Sequence, residues 1–274
     1  FNLGGSSLQI VQLISKLHKQ LQKTIDITEF YSNPTIDGIS QLINFDQDKK
    51  VIKNLLQIHA RGDGLPLILI HPSTGLSLPY LSLQNHFCGR PIYGINNPYF
   101  GLNRFSCLKE MALCYIDIIN QNFPKGSYYL GGWSFGGTVA FEMAHQLKAL
   151  GKDVEAVILI DSYPTGDQEH GDSLIIEKIF KSKSYNRLLN SKTSLLCEMQ
   201  NNFELIRNYQ PSRYEGRVIL LKAKSEDKKN ICNGWRTYVN SEFEIHPLPG
   251  DHVKLFDPED VVNIIKYFTK LLSK

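Results

Sequence analysis

The sequence predicts an α/β fold, a mostly parallel sheet covered by helices on both faces, preceded by a short all-helical segment. Two observations carry this prediction. From residue 65 onward, short apolar segments rich in β-branched residues alternate with helical patterns, which is typical of parallel sheets. Before residue 46, apolar residues recur at helical spacing. A chain of 274 residues has room for one large α/β domain and one small module.

The composition of the chain argues against several classes of protein. Hydrophobic residues make up 42% and charged residues 21%, as in ordinary globular domains. A net charge of +3 is too small to indicate nucleic acid binding, and no apolar run is long enough to span a bilayer. Five scattered cysteines without a C-x-x-C spacing favour free thiols and argue against a zinc site. We therefore expect a cytoplasmic protein with no metal, no nucleic acid partner and no membrane.

Residues 1–45 predict two helices separated by a turn. The apolar residues of the first helix share one face: Ile10, Ile14, Leu17 and Leu21. The stretch Gly4-Gly5-Ser6-Ser7 precedes this helix and places Ser7 at its N-terminus. Thr35, after Asn33-Pro34, is the expected N-cap of the second helix. Residues 46–64 are polar and charged, which predicts a linker with a short helical piece at 51–58.

Residues 65–274 predict six strands and the helices between them. The strands are expected at 67–70, 91–95, 128–131, 154–160, 217–223 and 242–246. Helical patterns cover 108–120 and 138–150, and a last helix begins after Asp257-Pro258-Glu259-Asp260. Between Asp161 and Arg217 only amphipathic helical stretches occur, so a lid is expected at about 162–216, with a decorative insertion as the alternative.

The stretch Gly131-Gly132-Trp133-Ser134-Phe135-Gly136-Gly137 predicts a nucleophile. It lies between a predicted strand and a predicted helix, the setting in which G-x-S-x-G forms a sharp turn. A Cβ at Gly132 or Gly136 would collide with the neighbouring strand or helix. Ser134 is therefore the candidate nucleophile at the C-terminal edge of the sheet. A glycine-rich turn with an exposed serine is the alternative.

A serine hydroxyl needs a base to remove its proton, and the base needs an orienting acid. His252 follows Pro249-Gly250-Asp251, in the loop between the last predicted strand and the last helix. That position puts His252 at the sheet edge where Ser134 emerges, so His252 is the candidate base. His246, at the end of a strand, and His71, in the loop after the strand at 67–70, are expected to be structural.

The acid has two candidate positions on the pattern alone. Asp161 ends the strand that follows the nucleophile helix. Glu226 or Asp227 follow the next strand, at the same edge of the sheet. Both positions are compatible with the chain order of serine, acid and histidine in such enzymes, and the spacing does not separate them.

The first segment resembles a carrier domain. Leu3-Gly4-Gly5-Ser6-Ser7-Leu8 and Phe30-Tyr31-Ser32-Asn33-Pro34-Thr35-Ile36 are similar to the second half of peptidyl-carrier domains in nonribosomal peptide synthetases and hybrid polyketide synthases. The resemblance implies that Ser7 carries 4′-phosphopantetheine, whose phosphate would face the positive end of a helix dipole. Ser6, where the family more often has His or Asp, is a rival attachment site, and a simple N-cap role for Ser7 is the other alternative. The family's first helix is missing, so residues 1–45 are expected to be the C-terminal part of a carrier.

The second segment resembles the terminal type I thioesterase domain of nonribosomal peptide and polyketide synthases, an α/β-hydrolase fold. Five stretches carry the resemblance, in order: 69–75, 91–95, 128–137, 158–162 and 250–252. In that family the acid follows the strand right after the nucleophile helix, which implies Asp161. The resemblance also implies an oxyanion hole formed by the backbone N–H groups of Phe135 and Ser73, with Thr74 as the alternative to Ser73.

Together the two resemblances imply a chain-releasing thioesterase. An acyl or peptidyl chain would pass from the arm on Ser7 to Ser134 and leave by hydrolysis or cyclisation. The implied partners are the upstream modules of the same megasynthase, the acyl or peptidyl thioester, and a phosphopantetheinyl transferase. The alternatives are a free-standing esterase or lipase and a non-catalytic docking scaffold.

Overall fold

The computed structural model of the chain describes residues 13, 16, 17, 20, 35–37, 39, 40, 54–84, 89–102, 104–124, 126, 128–152, 154–165, 192–224, 232–257 and 259–272. Within residues 13–20 and 36–40, the described residues are helical, as the sequence predicts. The Ile39 N–H donates to the Thr35 carbonyl at 3.0 Å, the first helical bond expected after an N-cap at Thr35. Ser6, Ser7, Glu226 and Asp227 lie outside the described residues.

A seven-stranded sheet forms the centre of the molecule, with strand order β1-β3-β2-β4-β5-β6-β7. The strands are β1 Leu55–His59, β2 Leu67–Ile70, β3 Ile92–Ile95, β4 Tyr129–Trp133, β5 Val157–Ile160, β6 Val218–Ala223 and β7 Phe243–Leu248. Strand β1 pairs antiparallel with β3, and the other neighbours pair in parallel. The six predicted strands and the mostly parallel sheet are therefore confirmed.

Strand β1 lies where the sequence predicts a short helical piece, at residues 51–58. The expected helical piece of a linker is wrong, because Leu55–His59 forms an edge strand of the sheet. Leu56 and Ile58 are buried while Gln57 between them is exposed, which is the alternation of a strand. A five-residue stretch with apolar residues on either side of one polar residue fits a helix or a strand equally well, and the pairing with β3 decides between them.

Helices cover both faces of the sheet. They are α1 Leu108–Asn122, α2 Phe135–Ala149, α3 Lys192–Arg207 and α4 Val261–Leu271. One apolar cluster joins α1, α2 and α3 to strand residues such as Ile68 and Leu159. A second joins α4 to the residues that alternate with them, such as Leu67 and Ile158. Because both faces are covered, the central parallel strands are continuously apolar.

The described part of the predicted lid segment is anchored in the core. Along α3, Met199, Phe203 and Ile206 are buried, as the predicted apolar face requires. Just beyond the helix, the Tyr209 hydroxyl donates to Glu142 Oε2 on α2 at 2.6 Å. Helix α3 has 16 residues, and among the described helices none has the length and apolarity needed to cross a bilayer.

Candidate active site

Ser134 stands in a strained turn between β4 and α2. Its φ is 55° and its ψ is −123°, a conformation that costs a residue with a side chain about 1–3 kcal/mol. Two hydrogen bonds hold the turn: the Ser134 N–H donates to the Ile160 carbonyl at 2.9 Å, and the Gly137 N–H donates to the Ser134 carbonyl at 3.1 Å. The turn therefore ties Ser134 directly to the end of β5.

The glycines around Ser134 are required by close backbone contacts. A Cβ on Gly132 would lie 2.3 Å from the carbonyl carbon of Gly136. A Cβ on Gly136 would lie 2.2 Å from the Ile70 carbonyl oxygen at the end of β2. Backbone atoms cannot swing aside as a flexible side chain can, so both positions exclude a larger residue. The collisions expected from the sequence are confirmed.

We expect Gly136→Ala to be strongly destabilising. The clash with Ile70 should cost about 3 kcal/mol or more of the free energy of unfolding, because β2 or α2 must shift. Gly89→Ala is the matched control: Gly89 has a φ of +71°, and apart from its chain neighbours no atom of the described residues lies within 4 Å of an added Cβ, so only backbone strain of about 1–2 kcal/mol applies. Urea unfolding compares the two variants, and equal losses would contradict this account of the turn.

Asp161 and His252 meet at the same edge of the sheet. Asp161 directly follows β5, and His252 begins a short 3-10 helix, His252–Lys254, after β7. The His252 Nδ1 and Asp161 Oδ2 atoms are 2.7 Å apart. Of the candidate acids, Asp161 is the one within the described residues, and it contacts the candidate base.

The surroundings of Asp161 favour its ionised form. Burial raises the pKa of this carboxyl, but the hydrogen bond and the charge attraction of His252, with hydrogen bonds from Asn233 and the Ala223 N–H, outweigh burial, so the pKa lies below its ordinary value. Because an ionised carboxylate can only accept, His252 Nδ1 must carry the proton in this pair. With that proton on Nδ1, Nε2 is the nitrogen placed to accept the proton of the nucleophile.

Asn233 is a site residue that the sequence analysis missed. It is buried, has a φ of 49°, and its Nδ2 donates to Asp161 Oδ1 at 3.2 Å and to the Ser162 carbonyl at 3.1 Å. Lys222 Nζ donates to the Asn233 side-chain oxygen and so orients the amide. The only local signal is the Asn-Gly pair at 233–234, a turn dipeptide, and nothing in it points to Asp161.

His252 lies beside the turn that carries Ser134. The indole of Trp133, the residue before Ser134, has its ring centroid 5.6 Å from the His252 imidazole and 5.2 Å from the Phe256 ring. These contacts bring the candidate nucleophile, base and acid to one edge of the sheet. Within the described residues, no group of three or more His, Cys, Asp and Glu side chains is arranged to hold a metal ion.

The predicted oxyanion donors also lie at this edge. The Gly75 N–H donates to the Pro72 carbonyl at 3.0 Å and closes a tight turn. Within the described part of the chain, no hydrogen bond occupies the N–H of Ser73 or Thr74. The Phe135 N–H belongs to the first turn of α2, where a helix leaves its N–H groups free.

His71 supports the turn from inside the core. Its Nδ1 lies 2.7 Å from the Pro72 carbonyl and its Nε2 lies 2.6 Å from the Tyr115 hydroxyl, while its ring stacks on Phe135. Burial lowers the pKa of His71, against the raising effects of Glu198 and the Pro72 carbonyl. The neutral ring therefore donates from Nδ1 to the Pro72 carbonyl and accepts a hydrogen bond from the Tyr115 hydroxyl at Nε2. This geometry fits the structural role expected for His71.

His246, also expected to be structural, lies on β7 and pairs with a residue of its own strand. Its Nε2 lies 3.3 Å from Glu244 Oε2. Glu244 in turn accepts two hydrogen bonds from Arg217. His246 thus belongs to a polar cluster that joins β7 to Arg217, the residue before β6.

The fold and these side chains together define an α/β-hydrolase with a serine-centred site. A family model for thioesterase domains matches residues 65–272, and one for phosphopantetheine attachment sites matches residues 1–43. The chain therefore belongs to the thioesterase domain family and carries a phosphopantetheine attachment segment in front of it.

Relatives of known sequence and structure agree with that family. Malpibaldin synthetase of Mortierella alpina is 28% identical over the whole chain, and the dimodular nonribosomal peptide synthase of Bacillus subtilis (strain 168) is 27% identical. The chain spans 5% and 13% of their lengths. The crystal structure of the NocB thioesterase domain from the nocardicin cluster is 31% identical, with a TM-score of 0.64, covering 78% of this chain and 96% of that one.

Proposed function

We propose that the chain releases an acyl or peptidyl group from a carrier domain of a megasynthase. One observation carries this proposal: a 2.7 Å contact joins His252 to Asp161 beside Ser134, which stands in a strained strand-to-helix turn. Membership of the thioesterase family supports a thioester as the substrate. The attachment segment at residues 1–43 supports a carrier as its source.

In the first half of the reaction, Ser134 is the nucleophile and His252 the base. Nε2 of His252 removes the hydroxyl proton as Ser134 Oγ attacks the thioester carbonyl carbon. The N–H groups of Phe135 and Ser73, with Thr74 as the alternative to Ser73, stabilise the negative oxygen that forms. The carbon–sulfur bond then breaks, and the leaving thiolate takes the proton from the His252 imidazolium. Asp161 stabilises that imidazolium and keeps the proton of Nδ1 in place.

In the second half, the acyl group leaves Ser134. His252 removes a proton from water, or from a nucleophile of the chain itself, as that oxygen or nitrogen attacks the ester carbonyl. The bond to Ser134 Oγ breaks and Oγ recovers its proton from His252. Hydrolysis and cyclisation use the same residues in each of these steps, so the same site serves both reactions.

Ser7 is proposed as the attachment point of the arm. Bound phosphopantetheine supplies a terminal thiol on which the acyl chain is carried to the thioesterase domain. The partners are the upstream modules of the same megasynthase and a phosphopantetheinyl transferase, and synthetases among the relatives support this arrangement.

A transferase supplied with coenzyme A should add one arm to a chain that holds the complete carrier. We expect Ser7→Ala to abolish the addition, because a phosphodiester needs the hydroxyl, and the neighbouring change Ser6→Ala to leave it intact. Intact-mass spectrometry counts the arms. Retained addition in Ser7→Ala together with loss in Ser6→Ala would move the attachment to Ser6.

The proposed function is tested by comparing substrates. A panel of acyl thioesters and the matching oxygen esters is offered to the chain, and products are identified by mass spectrometry. We expect release from thioesters to exceed release from the esters, with one product per acyl group. Preference for the oxygen esters would favour an esterase or lipase. If the chain neither turned over any substrate nor was labelled at Ser134 by a fluorophosphonate, the result would favour a docking scaffold. The NocB domain forms a covalent complex with such a compound.

A further inference from the structure

Two polar side chains are buried on the apolar face of α3. Glu198 and Asn202 are each 1% exposed and lie one turn apart, directly before the buried Met199 and Phe203 and beside the apolar stripe that packs against the core. Apolar side chains could fill this space without the cost of removing a carboxylate and an amide from water. The hydrogen-bond partners of Glu198 and Asn202 therefore indicate why polar residues occupy these two buried positions.

Glu198 accepts hydrogen bonds from three donors. The Asn97 amide lies 2.7 Å and the Asn202 amide 3.0 Å from Oε1, and the Gly101 N–H lies 2.9 Å from Oε2. Asn97 and Gly101 belong to the loop that follows β3. The Asn97 N–H in turn donates to the Gly75 carbonyl at 2.9 Å. Glu198 thus connects α3, this loop and the turn that holds the predicted oxyanion donors.

Asn202 binds the same turn directly. Its Nδ2, which also donates to Glu198, donates to the Ser73 carbonyl at 2.9 Å. The fit is tight, because a Cβ on Gly75 would lie 2.6 Å from Glu198 Cγ. Helix α3 therefore contacts the turn at Ser73 through a hydrogen bond and at Gly75 through close packing.

These contacts determine where the free N–H groups of the turn point. All peptide bonds of the described chain are trans, so each N–H points opposite to the carbonyl of its own peptide group. The Pro72 carbonyl is held by His71 and Gly75, which directs the Ser73 N–H. The Ser73 carbonyl is held by Asn202, which directs the Thr74 N–H away from α3.

We propose that Glu198 and Asn202 are positioning residues for the oxyanion hole, so that α3, through one hydrogen-bonded pair, holds the turn 72–75 in the conformation that stabilises the oxyanion. This inference rests on the proposed function, because it assigns a role within the same reaction. Neither residue touches the reacting atoms. Both act by holding the peptide groups whose N–H donors lie free.

The test replaces Asn202 by leucine, which has a similar size and no donor. Asn208→Leu is the matched control, since Asn208 is exposed and its side-chain amide donates to the Glu204 carbonyl, one turn earlier. Four quantities are measured for each variant. They are kcat and KM on an acyl thioester of N-acetylcysteamine, the affinity for a trifluoromethyl ketone that adds to Ser134, and the rate of fluorophosphonate labelling. The melting temperature reports folding.

For Asn202→Leu we expect kcat to fall by roughly 10- to 100-fold, since misplacing an oxyanion donor costs about that much. KM should stay within about twofold, because ground-state binding does not use these donors. Affinity for the trifluoromethyl ketone and the labelling rate should fall in parallel with kcat. Glu198→Gln should move the same quantities in the same direction. The double variant should lose less than the product of the two single losses, because the residues act as one unit.

The outcomes separate this inference from the proposed function. If wild type releases thioesters and Asn202→Leu matches Asn208→Leu, the inference is wrong and the function stands. A rise in KM at constant kcat also overturns it. If wild type does not turn over the thioester, but Asn202→Leu is labelled more slowly than wild type, the proposed function fails and the positioning role stands. If wild type neither releases nor labels, both fail. Should Asn202→Leu not fold, Asn202→Ser, whose hydroxyl is too short to reach Ser73, replaces it.

Discussion

Ser134→Ala should lower the rate of thioester release by roughly 10³- to 10⁶-fold, leaving only what binding and the oxyanion donors supply. Without Oγ no acyl-enzyme can form, so water must attack the thioester directly. The variant should fold, because alanine differs from serine at this position only by the hydroxyl and keeps the same backbone strain. Release is measured by thiol formation from one acyl thioester, and folding by the melting temperature.

Ser241→Ala is the matched control for this change. Ser241 is exposed, lies before β7, and its hydroxyl donates to the Gly216 carbonyl. We expect it to retain full activity. If Ser134→Ala kept more than a tenth of the wild-type rate while remaining folded, Ser134 would not be the nucleophile, and the strained turn would have another explanation.

Asp161→Asn should lower release by roughly 10²- to 10⁴-fold, because losing this orientation costs about 10⁴-fold in a serine-protease triad and the good leaving thiol of a thioester softens the cost. The neighbours of Asp161 explain the loss. The Ala223 N–H and the Asn233 amide both donate to Oδ1, so an asparagine would keep its carbonyl oxygen there. Its NH₂ group would then face His252 Nδ1, and Nδ1 would have to accept a hydrogen bond from it. The imidazole proton would move to Nε2, where the proton of Ser134 must be taken up.

Glu226→Gln and Asp227→Asn serve as the comparison, since both residues were candidates for the acid. We expect each to stay within a few-fold of wild type on the same thioester at the same pH. A near-wild-type Asp161→Asn beside a severely impaired Glu226→Gln or Asp227→Asn would transfer the acid to the position after β6. The contact between His252 and Asp161 would then be structural only.

Local patterns were sufficient for most of the fold and for the centre of the site. Continuous apolar strands and amphipathic helices repeat at their own periods, so β2 to β7, α1 and α2 follow from short windows of sequence. The glycines beside Ser134 have a purely local cause as well, because a tight strand-to-helix turn has no room for a Cβ. The assignment of Asp161 as the acid required the family resemblance, since the pattern alone left Glu226 and Asp227 as alternatives.

The remaining features depend on contacts between distant parts of the chain. Strand β1 is decided by its pairing with β3, which a five-residue window cannot contain. Asn233 reaches Asp161 across 72 residues of sequence, and Asn202 reaches Ser73 across 129. A signal did exist for α3: Glu198 and Asn202 are two polar residues at i and i+4 beside the apolar stripe of Leu195, Met199, Phe203 and Ile206. Their partners could be identified only in the folded structure.

In the proposed reaction, a chain held as a thioester passes through an ester on Ser134. Mixing the protein with an acyl thioester of N-acetylcysteamine, quenching in acid within one turnover and digesting to peptides locates that ester by mass spectrometry. We predict one acyl group on the peptide that holds Ser134, formed and lost at least as fast as product appears, and none in Ser134→Ala. Product formation with no acyl group on Ser134, or with the acyl group on another residue, would contradict the account.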